Sequence, residues 1–165
     1  MASLIASLIT DDDLETNGTW VVYTPLTNDD NTHPEFKIKR VSIENVDYQK
    51  RVTPILKQID ELQKANNTDV SKLYGLQKEM NGAFIDEMLV DWRSVKYPAD
   101  RDAKGKVVVD KKGVPVCKEM PFTKENVSKL IRDNKNAQKL IDWLVAQSTD
   151  MANYLADKRE QDLKL

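Results

Sequence analysis

The sequence predicts an α+β fold that is mainly helical, with about four helices and one or two β-hairpins. Apolar residues recur at spacings of three and four over several long stretches, which is the period of an amphipathic helix. Two shorter stretches, 19–24 and 35–41, are rich in β-branched and aromatic residues or alternate polar with apolar ones, which is typical of strands. The length of 165 residues fits one domain of ordinary size.

The predicted domain spans residues 1–165 and has four parts. They are an acidic N-terminal segment (1–34), a strand with a helical hairpin (35–97), a loop with a hairpin (98–121) and the C-terminal helices (122–165). The first part holds six of the 27 acidic residues and none of the 25 basic ones, so the remainder is mildly basic. The net charge of −2 argues against a nucleic-acid-binding protein, because such proteins usually have a strongly basic face.

A β-hairpin is predicted near the N-terminus. Thr19–Thr24 is β-branched and aromatic, and Pro25 ends this strand. Glu35–Val41 alternates polar with apolar residues, so that Phe36 and Ile38 share one face. The residues between the two strands are polar and rich in Asn and Asp, which indicates a long connecting loop.

Two helices are expected to follow and to pack as an antiparallel hairpin. The first covers about residues 46–62 and contains Pro54. This proline lies either in the first turn after a cap at Thr53 or inside a longer helix that it kinks. Both arrangements remain open on the sequence.

The second helix is predicted from about Val70 to Val95, after a cap at Thr68 or Asp69. Its helical spacing defines a buried stripe. The stripe consists of Leu73, Leu76, Met80, Ala83, Phe84, Met88 and Trp92. Asn81-Gly82 would allow a turn inside this stretch, so two shorter elements are the alternative.

A second hairpin is predicted from Lys106–Asp110 and Val114–Cys117, with Gly113 providing the positive φ of a tight turn. Thr123 is expected to cap a short helix, and a final amphipathic helix follows. No internal repeat is evident in the sequence.

The sequence contains no recognisable catalytic, metal or cofactor motif. His33 is the single histidine and Cys117 the single cysteine, and they lie far apart in the chain. Asp11-Asp12-Asp13 lacks the alternation of a calcium loop. We therefore expect a protein that is not an enzyme and needs no cofactor. No apolar run is long enough to cross a membrane, and the lone cysteine fits the cytoplasm.

Protein binding is the remaining function class, and six residues are its candidates. Trp92 is expected to be half-exposed at a helix end, and tryptophan is enriched in binding hot spots. Met80 and Met88 have flexible side chains that suit adaptable surfaces, although core packing explains them equally well. Asp11, Asp12 and Asp13 form either a solvated acidic loop or a patch for a basic partner.

The order of several short motifs resembles a known family. A basic strand with Phe36-Lys37-Ile38-Lys39-Arg40 precedes a helical pair that ends at Val90-Asp91-Trp92. A glycine turn, Gly113-Val114-Pro115-Val116, and the capping segment Phe122-Thr123-Lys124-Glu125-Asn126 follow. This order resembles the tail assembly chaperones and minor tail proteins of long-tailed bacteriophages.

The resemblance implies a role in building the phage tail. It implies a protein that binds the tape-measure and tail-tube proteins in the host cytoplasm and keeps the helices of the tape-measure protein soluble. A structural virion component, such as a minor tail or head–tail connector protein, is the first alternative. An accessory protein that binds a host factor is the second. A homo-oligomer is compatible with each of these roles.

Overall fold

The computed structural model describes residues 3–66 and 69–156. Its helices are α1 (Leu4–Leu8), α2 (Asp12–Asn17), α3 (Val46–Lys64), α4 (Val70–Glu87), α5 (Lys124–Val127) and α6 (Gln138–Thr149). Its strands are β1 (Thr19–Val22), β2 (Glu35–Ile38) and β3 (Leu89–Arg93). Helix α5 continues into a π-helical segment, Ser128–Arg132, and a 3₁₀ helix, Met151–Tyr154, follows α6. The predicted α+β class, dominated by helices, is confirmed.

The three strands form one antiparallel sheet with β2 in the centre. The predicted N-terminal hairpin is confirmed, because β1 pairs with β2 across the loop between Val22 and Glu35. Val21, Phe36 and Ile38 are buried on the inner face, as the alternation predicts. This face packs on the main hydrophobic core, to which α4, the π-helical segment and α6 also contribute.

The prediction of one helix over 70–95 is wrong at its C-terminal end. Helix α4 ends at Glu87, and Leu89–Arg93 is strand β3, paired with β2 so that Trp92 lies opposite Phe36. Pairing with β2 satisfies the backbone groups on one side of this edge strand and places Trp92 on the buried face of the sheet. The expected half-exposed position of Trp92 is therefore also wrong, since the residue is 4% exposed.

Helix α3 passes through Pro54, so the longer helix is the correct alternative. A proline in a helix removes one backbone donor. Next to the proline, the hydroxyl of Thr53 donates a hydrogen bond to the carbonyl oxygen of Gln49 one turn earlier (2.7 Å).

Helix α4 is continuous through Asn81-Gly82, and Asp69 caps it by accepting a bond from the Lys72 N–H (3.1 Å). Thr68, the other predicted cap, lies outside the described residues.

The α3–α4 hairpin extends beyond the main core. Its outer part is held by a second, smaller cluster of buried residues, Ile55, Leu62 and Leu76, with Ile59, Leu73 and Met80 packed against it. The hairpin therefore projects from the domain as two helices that are stabilised mainly by each other.

Residues 96–119 form a second projection, here called the arm. The predicted hairpin is present as the antiparallel bridge between Val109 and Pro115, without the extended strands expected from the sequence. Two turns in the arm are built alike: the carboxylates of Asp102 and Asp110 each accept two backbone N–H bonds, and Gly105 and Gly113 have φ of 75° and 78°. The two turns lie eight residues apart, and each has an aspartate three residues before its glycine.

Candidate functional site

The most prominent cleft lies along α4, between the α3–α4 hairpin and the C-terminal helices. Its larger part has a volume of about 650 Å³ and its smaller part about 270 Å³. The two parts adjoin, because both are lined by Lys78, Arg132 and Asp133. We call this combined space the α4 cleft. Arg132 ends the π-helical segment, a type of local structure that is frequent at functional sites.

Two glycines of α4, Gly75 and Gly82, line the α4 cleft. They are seven residues apart and therefore lie on the same face of the helix. A Cβ atom at Gly82 would lie 3.3 Å from Nη1 of Arg132, so this glycine leaves room for the guanidinium group. A Cβ atom at Gly75 would meet no atom within 4 Å, so the fold itself does not require a glycine there.

The effect of Gly75 on stability is testable because of this open space. Gly75→Ala should raise the free energy of unfolding by about 1 kcal/mol, the difference in helix propensity between the two residues. Urea denaturation of the two proteins measures the change. The same substitution at Gly82 should give a smaller gain, since its methyl group must displace the Arg132 guanidinium. Equal gains at both positions would contradict the described contact.

Asp86 anchors two arginines at one wall of the cleft. Its carboxylate accepts hydrogen bonds from Arg51 (2.8 Å) and from Arg132, which joins α3, α4 and the π-helical segment. Arg51 also pairs with Glu87 at 3.3 Å. Burial raises the pKa of Asp86, but the hydrogen bonds from Arg132 and Arg51 outweigh it and hold the pKa below its ordinary value of 3.8.

This lowered pKa predicts a pH dependence of stability. A carboxyl group with a depressed pKa in the folded state stabilises the fold above its unfolded pKa, and the contribution is lost as the pH falls below about 4. Asp86→Asn should therefore lower the urea midpoint at pH 7, and the difference from the wild type should shrink at pH 3. Asp142→Asn is the matched control, because Asp142 is exposed and contacts the neutral amide of Gln138. A constant difference at both pH values would contradict the role of Asp86.

The rest of the cleft combines an apolar floor with amide and charged groups. Ile55, Ile131 and Ile141 line it, and Asn81 donates a short hydrogen bond to Gln138 (2.6 Å) across its smaller part. Lys78 and Lys135 contribute positive charge, and Glu79 and Asp133 contribute negative charge. Such a surface is suited to hold the backbone and acidic side chains of a peptide while apolar side chains enter the floor.

The single histidine and the single cysteine of the sequence lie apart from this cleft. His33 lies in the loop between β1 and β2, with Nδ1 2.7 Å from the carbonyl oxygen of Leu26. Cys117 is half-buried in the arm. Within residues 3–66 and 69–156, no group of three or more His, Cys, Asp or Glu side chains is arranged to hold a metal ion. In the same ranges, no helix is long and apolar enough to cross a membrane.

The structure does not bring the six predicted partner-binding residues together. Met88 and Trp92 are buried in the main core, where the Trp92 indole N–H donates to the carbonyl oxygen of Met120 (2.7 Å). Met80 is half-buried between the two hydrophobic clusters. Asp11, Asp12 and Asp13 open α2, and Asp11 caps this helix through the N–H groups of Asp13 and Leu14.

Sequence reasoning missed the residues that shape the α4 cleft. Arg51, Asp86 and Arg132 come from three separate elements, and their meeting depends on the tertiary fold. One signal was available in the sequence: Gly75 and Gly82 weaken a helix, and their spacing of seven marks one face. A pair of glycines at this spacing indicates a helix face that something approaches closely.

Comparison with known proteins adds a family. A model of the family described as YdaY prophage protein matches residues 43–164. The chain belongs to this family. Membership indicates a phage-derived protein, which agrees with the phage origin implied by the resemblance in the sequence, but it does not distinguish a tail assembly chaperone from other phage proteins. No curated protein and no solved structure matches the chain.

The extent of the family match bears on the site. Every residue that lines the α4 cleft lies between Arg51 and Ile141, within the matched region. Helices α1 and α2 and strands β1 and β2 precede it. The cleft therefore belongs to the part of the chain that defines the family, whereas Asp11, Asp12 and Asp13 do not.

Proposed function

We propose that this YdaY-family protein is a non-catalytic phage protein that binds a helical segment of another phage protein in the α4 cleft. More specifically, we propose that it is a tail assembly chaperone acting in the host cytoplasm, with the tape-measure and tail-tube proteins as its partners. The single observation that carries the proposal is the open, mixed polar and apolar cleft along α4.

The dimensions of the cleft support a helical partner. The residues of α4 that line it run from Tyr74 to Gly82, a length of about 12 Å or roughly two helical turns. Gly75 exposes backbone near the N-terminal end of this face, so that a partner helix can approach α4 closely there. A helix that presents apolar residues at two or three successive turns would place them against Ile55 and Ile131.

Charge at the rim gives the partner a second property. Arg51 and Arg132 are already paired with Asp86, whereas Lys78 and Lys135 add positive charge to the lining of the smaller cavity, beside the carboxylate of Asp133. An amphipathic helix with acidic residues beside its apolar stripe would match both features. The chaperone proposal assigns this helix to the tape-measure protein, following the resemblance in the sequence.

Co-expression tests the chaperone proposal. A fragment of the tape-measure protein encoded by the same phage is produced with the wild-type protein, with the Gly75→Leu variant or alone. We expect the wild type to raise the soluble fraction of the fragment several-fold and Gly75→Leu to have little effect, because its side chain would fill the cleft. Ala146→Leu adds the same side chain at an exposed position of α6 that does not line the cleft, and it is the control. No increase with the wild type would contradict the chaperone role.

Analysis of particles separates the chaperone from the alternatives. A chaperone should be absent from purified virions, whereas a minor tail or connector protein should be present in a fixed copy number by mass spectrometry. Presence in virions would replace the chaperone proposal with the structural one. Absence from virions together with no effect on the tape-measure fragment would favour an accessory protein that binds a host factor.

A further inference from the structure

The arm presents a basic surface that the fold leaves exposed. Its exposed positive side chains are Arg101, Lys104, Lys106, Lys111, Lys112 and Lys118. The carboxylates of Asp102 and Asp110 point back into the arm, where they accept backbone N–H bonds of the two turns. The outer surface of the arm is therefore more positive than its composition indicates.

Apolar side chains accompany this charge. Tyr97, Val108 and Val109 are 46%, 37% and 52% exposed, respectively. Exposed valines can make an apolar contact with another protein, whereas a surface for nucleic acid would favour arginine and aromatic residues that stack on bases. The arm therefore points to a protein partner that is both acidic and apolar.

The same chain carries a surface with these two properties. Helix α1 and its C-cap expose four large apolar side chains, Leu4, Ile5, Leu8 and Ile9, which are 52–75% exposed. Contiguous apolar exposure of this kind marks an interaction site. Helix α2 follows directly, and its first turn carries the carboxylates of Asp12 and Asp13, whereas that of Glu15 is paired with Arg40 (2.8 Å). Apolar α1 and acidic α2, here called the α1–α2 surface, complement the valines and lysines of the arm.

The two surfaces lie at opposite ends of the sheet. Helix α2 leads into the start of β1 at Thr19, whereas the arm is fixed to the loop that follows β1, where Asp29 accepts a hydrogen bond from the Ala99 N–H (2.8 Å). Lys96 of the arm pairs with Asp30 of the same loop. The arm of one molecule therefore cannot bind its own α1–α2 surface, but it is placed to bind that of another.

We propose that the arm binds the α1–α2 surface of a second copy, so that molecules associate head to tail. Because the two surfaces differ, this contact is heterologous and each copy still offers one free surface after the first contact. Repetition of such a contact produces either a closed ring or an open filament. The α4 cleft is separate from both surfaces, so this inference does not depend on the proposed function.

Charge reversal tests the contact. The arm variant carries Lys104→Glu, Lys111→Glu and Lys112→Glu, and the α2 variant carries Asp12→Lys and Asp13→Lys. Sedimentation velocity at low salt (about 50 mM) should show concentration-dependent association of the wild type, and about 500 mM salt should weaken it. Each variant alone should associate at least about tenfold more weakly, since like charges then face each other.

Mixing the two variants provides the decisive test of the contact. Their reversed charges complement one another, so an equimolar mixture should recover association although neither variant associates alone. Lys57→Glu, Lys124→Glu and Lys129→Glu make the matched control, because these exposed lysines lie outside the arm and should leave association unchanged. Circular dichroism verifies that each variant is folded. If the α2 variant is not folded, the loss of association in the arm variant tests the contact by itself.

Three results would overturn the proposal. The first is a wild-type protein that stays monomeric at low salt, and the second is a mixture that fails to associate. The third is binding of a labelled DNA duplex that the arm variant loses while the wild type remains monomeric, because the arm would then be a nucleic-acid surface.

Discussion

Replacing Trp92 with alanine should destabilise the protein by about 4 kcal/mol, the usual cost of removing a large aromatic side chain from a core. Trp92 contacts Phe36 and Phe122 edge-to-face, with ring centroids 6.4 Å and 5.1 Å apart. Its indole N–H also satisfies the carbonyl oxygen of Met120. A loss of this size is a large share of the roughly 5–15 kcal/mol by which ordinary domains are stable.

Urea denaturation followed by circular dichroism measures this loss, and Trp92→Phe is the matched variant. Phenylalanine keeps much of the packing but not the hydrogen bond to Met120, so we expect it to cost about 1–2 kcal/mol. A loss below about 1 kcal/mol for Trp92→Ala would place Trp92 on a surface. That result would contradict strand β3 and restore the helix end expected from the sequence.

The second large effect is expected at the ion pair between Lys96 and Asp30. Their side chains are 13% and 12% exposed, so the pair is nearly removed from water. Burial raises the pKa of Asp30, but the hydrogen bonds from Lys96 and Thr32 outweigh it and hold the pKa below 3.8. Lys96→Met should cost about 3 kcal/mol at pH 7, because it leaves the Asp30 carboxylate uncompensated.

The pH dependence and the double variant distinguish a charge effect from lost packing. Protonation of Asp30 relieves the uncompensated charge, so the cost of Lys96→Met should shrink as the pH falls below about 4. Asp30→Asn combined with Lys96→Met should cost less than Lys96→Met alone, since no charge is then left behind. A double variant that is less stable than the single one would show that packing of the lysine stem is the larger effect.

Local patterns in the sequence predicted most of the elements. The N-terminal hairpin followed from β-branched residues and alternation, and the Thr123 cap followed from its side chain, which accepts a bond from the Asn126 N–H (3.1 Å). These features depend on residues that are close in the chain. The exact ends of an element depend on its tertiary neighbours as well. Strand β2 accordingly ends at Ile38 and not at the predicted Val41.

Strand β3 shows where local patterns fail. Met88 and Trp92 are four residues apart. This spacing places two residues on one face of a helix and equally on one face of a strand. The choice is made by pairing with β2, whose residues lie about 50 positions earlier in the chain. A spacing rule contains no information on such a partner, and tertiary context decides between the two structures.

The α4 cleft could not be predicted from the sequence, for a related reason. Its charged wall needs Arg51 and Arg132 to meet at Asp86, although the two arginines are far apart in the chain. The sequence analysis instead chose methionine, tryptophan and aspartate by residue type. Met88 and Trp92 are core residues, and Asp11 is a helix cap, so residue type alone did not identify the surface.

Binding of a partner helix in the α4 cleft is the central claim, and isothermal titration calorimetry tests it most directly. A purified helical fragment of the tape-measure protein from the same phage is titrated into the wild type, Gly75→Leu and Ala146→Leu. We expect the wild type and Ala146→Leu to bind with equal affinity, and Gly75→Leu to bind at least about tenfold more weakly, a loss of about 1.4 kcal/mol. Equal affinity of Gly75→Leu and the wild type would contradict binding in the cleft.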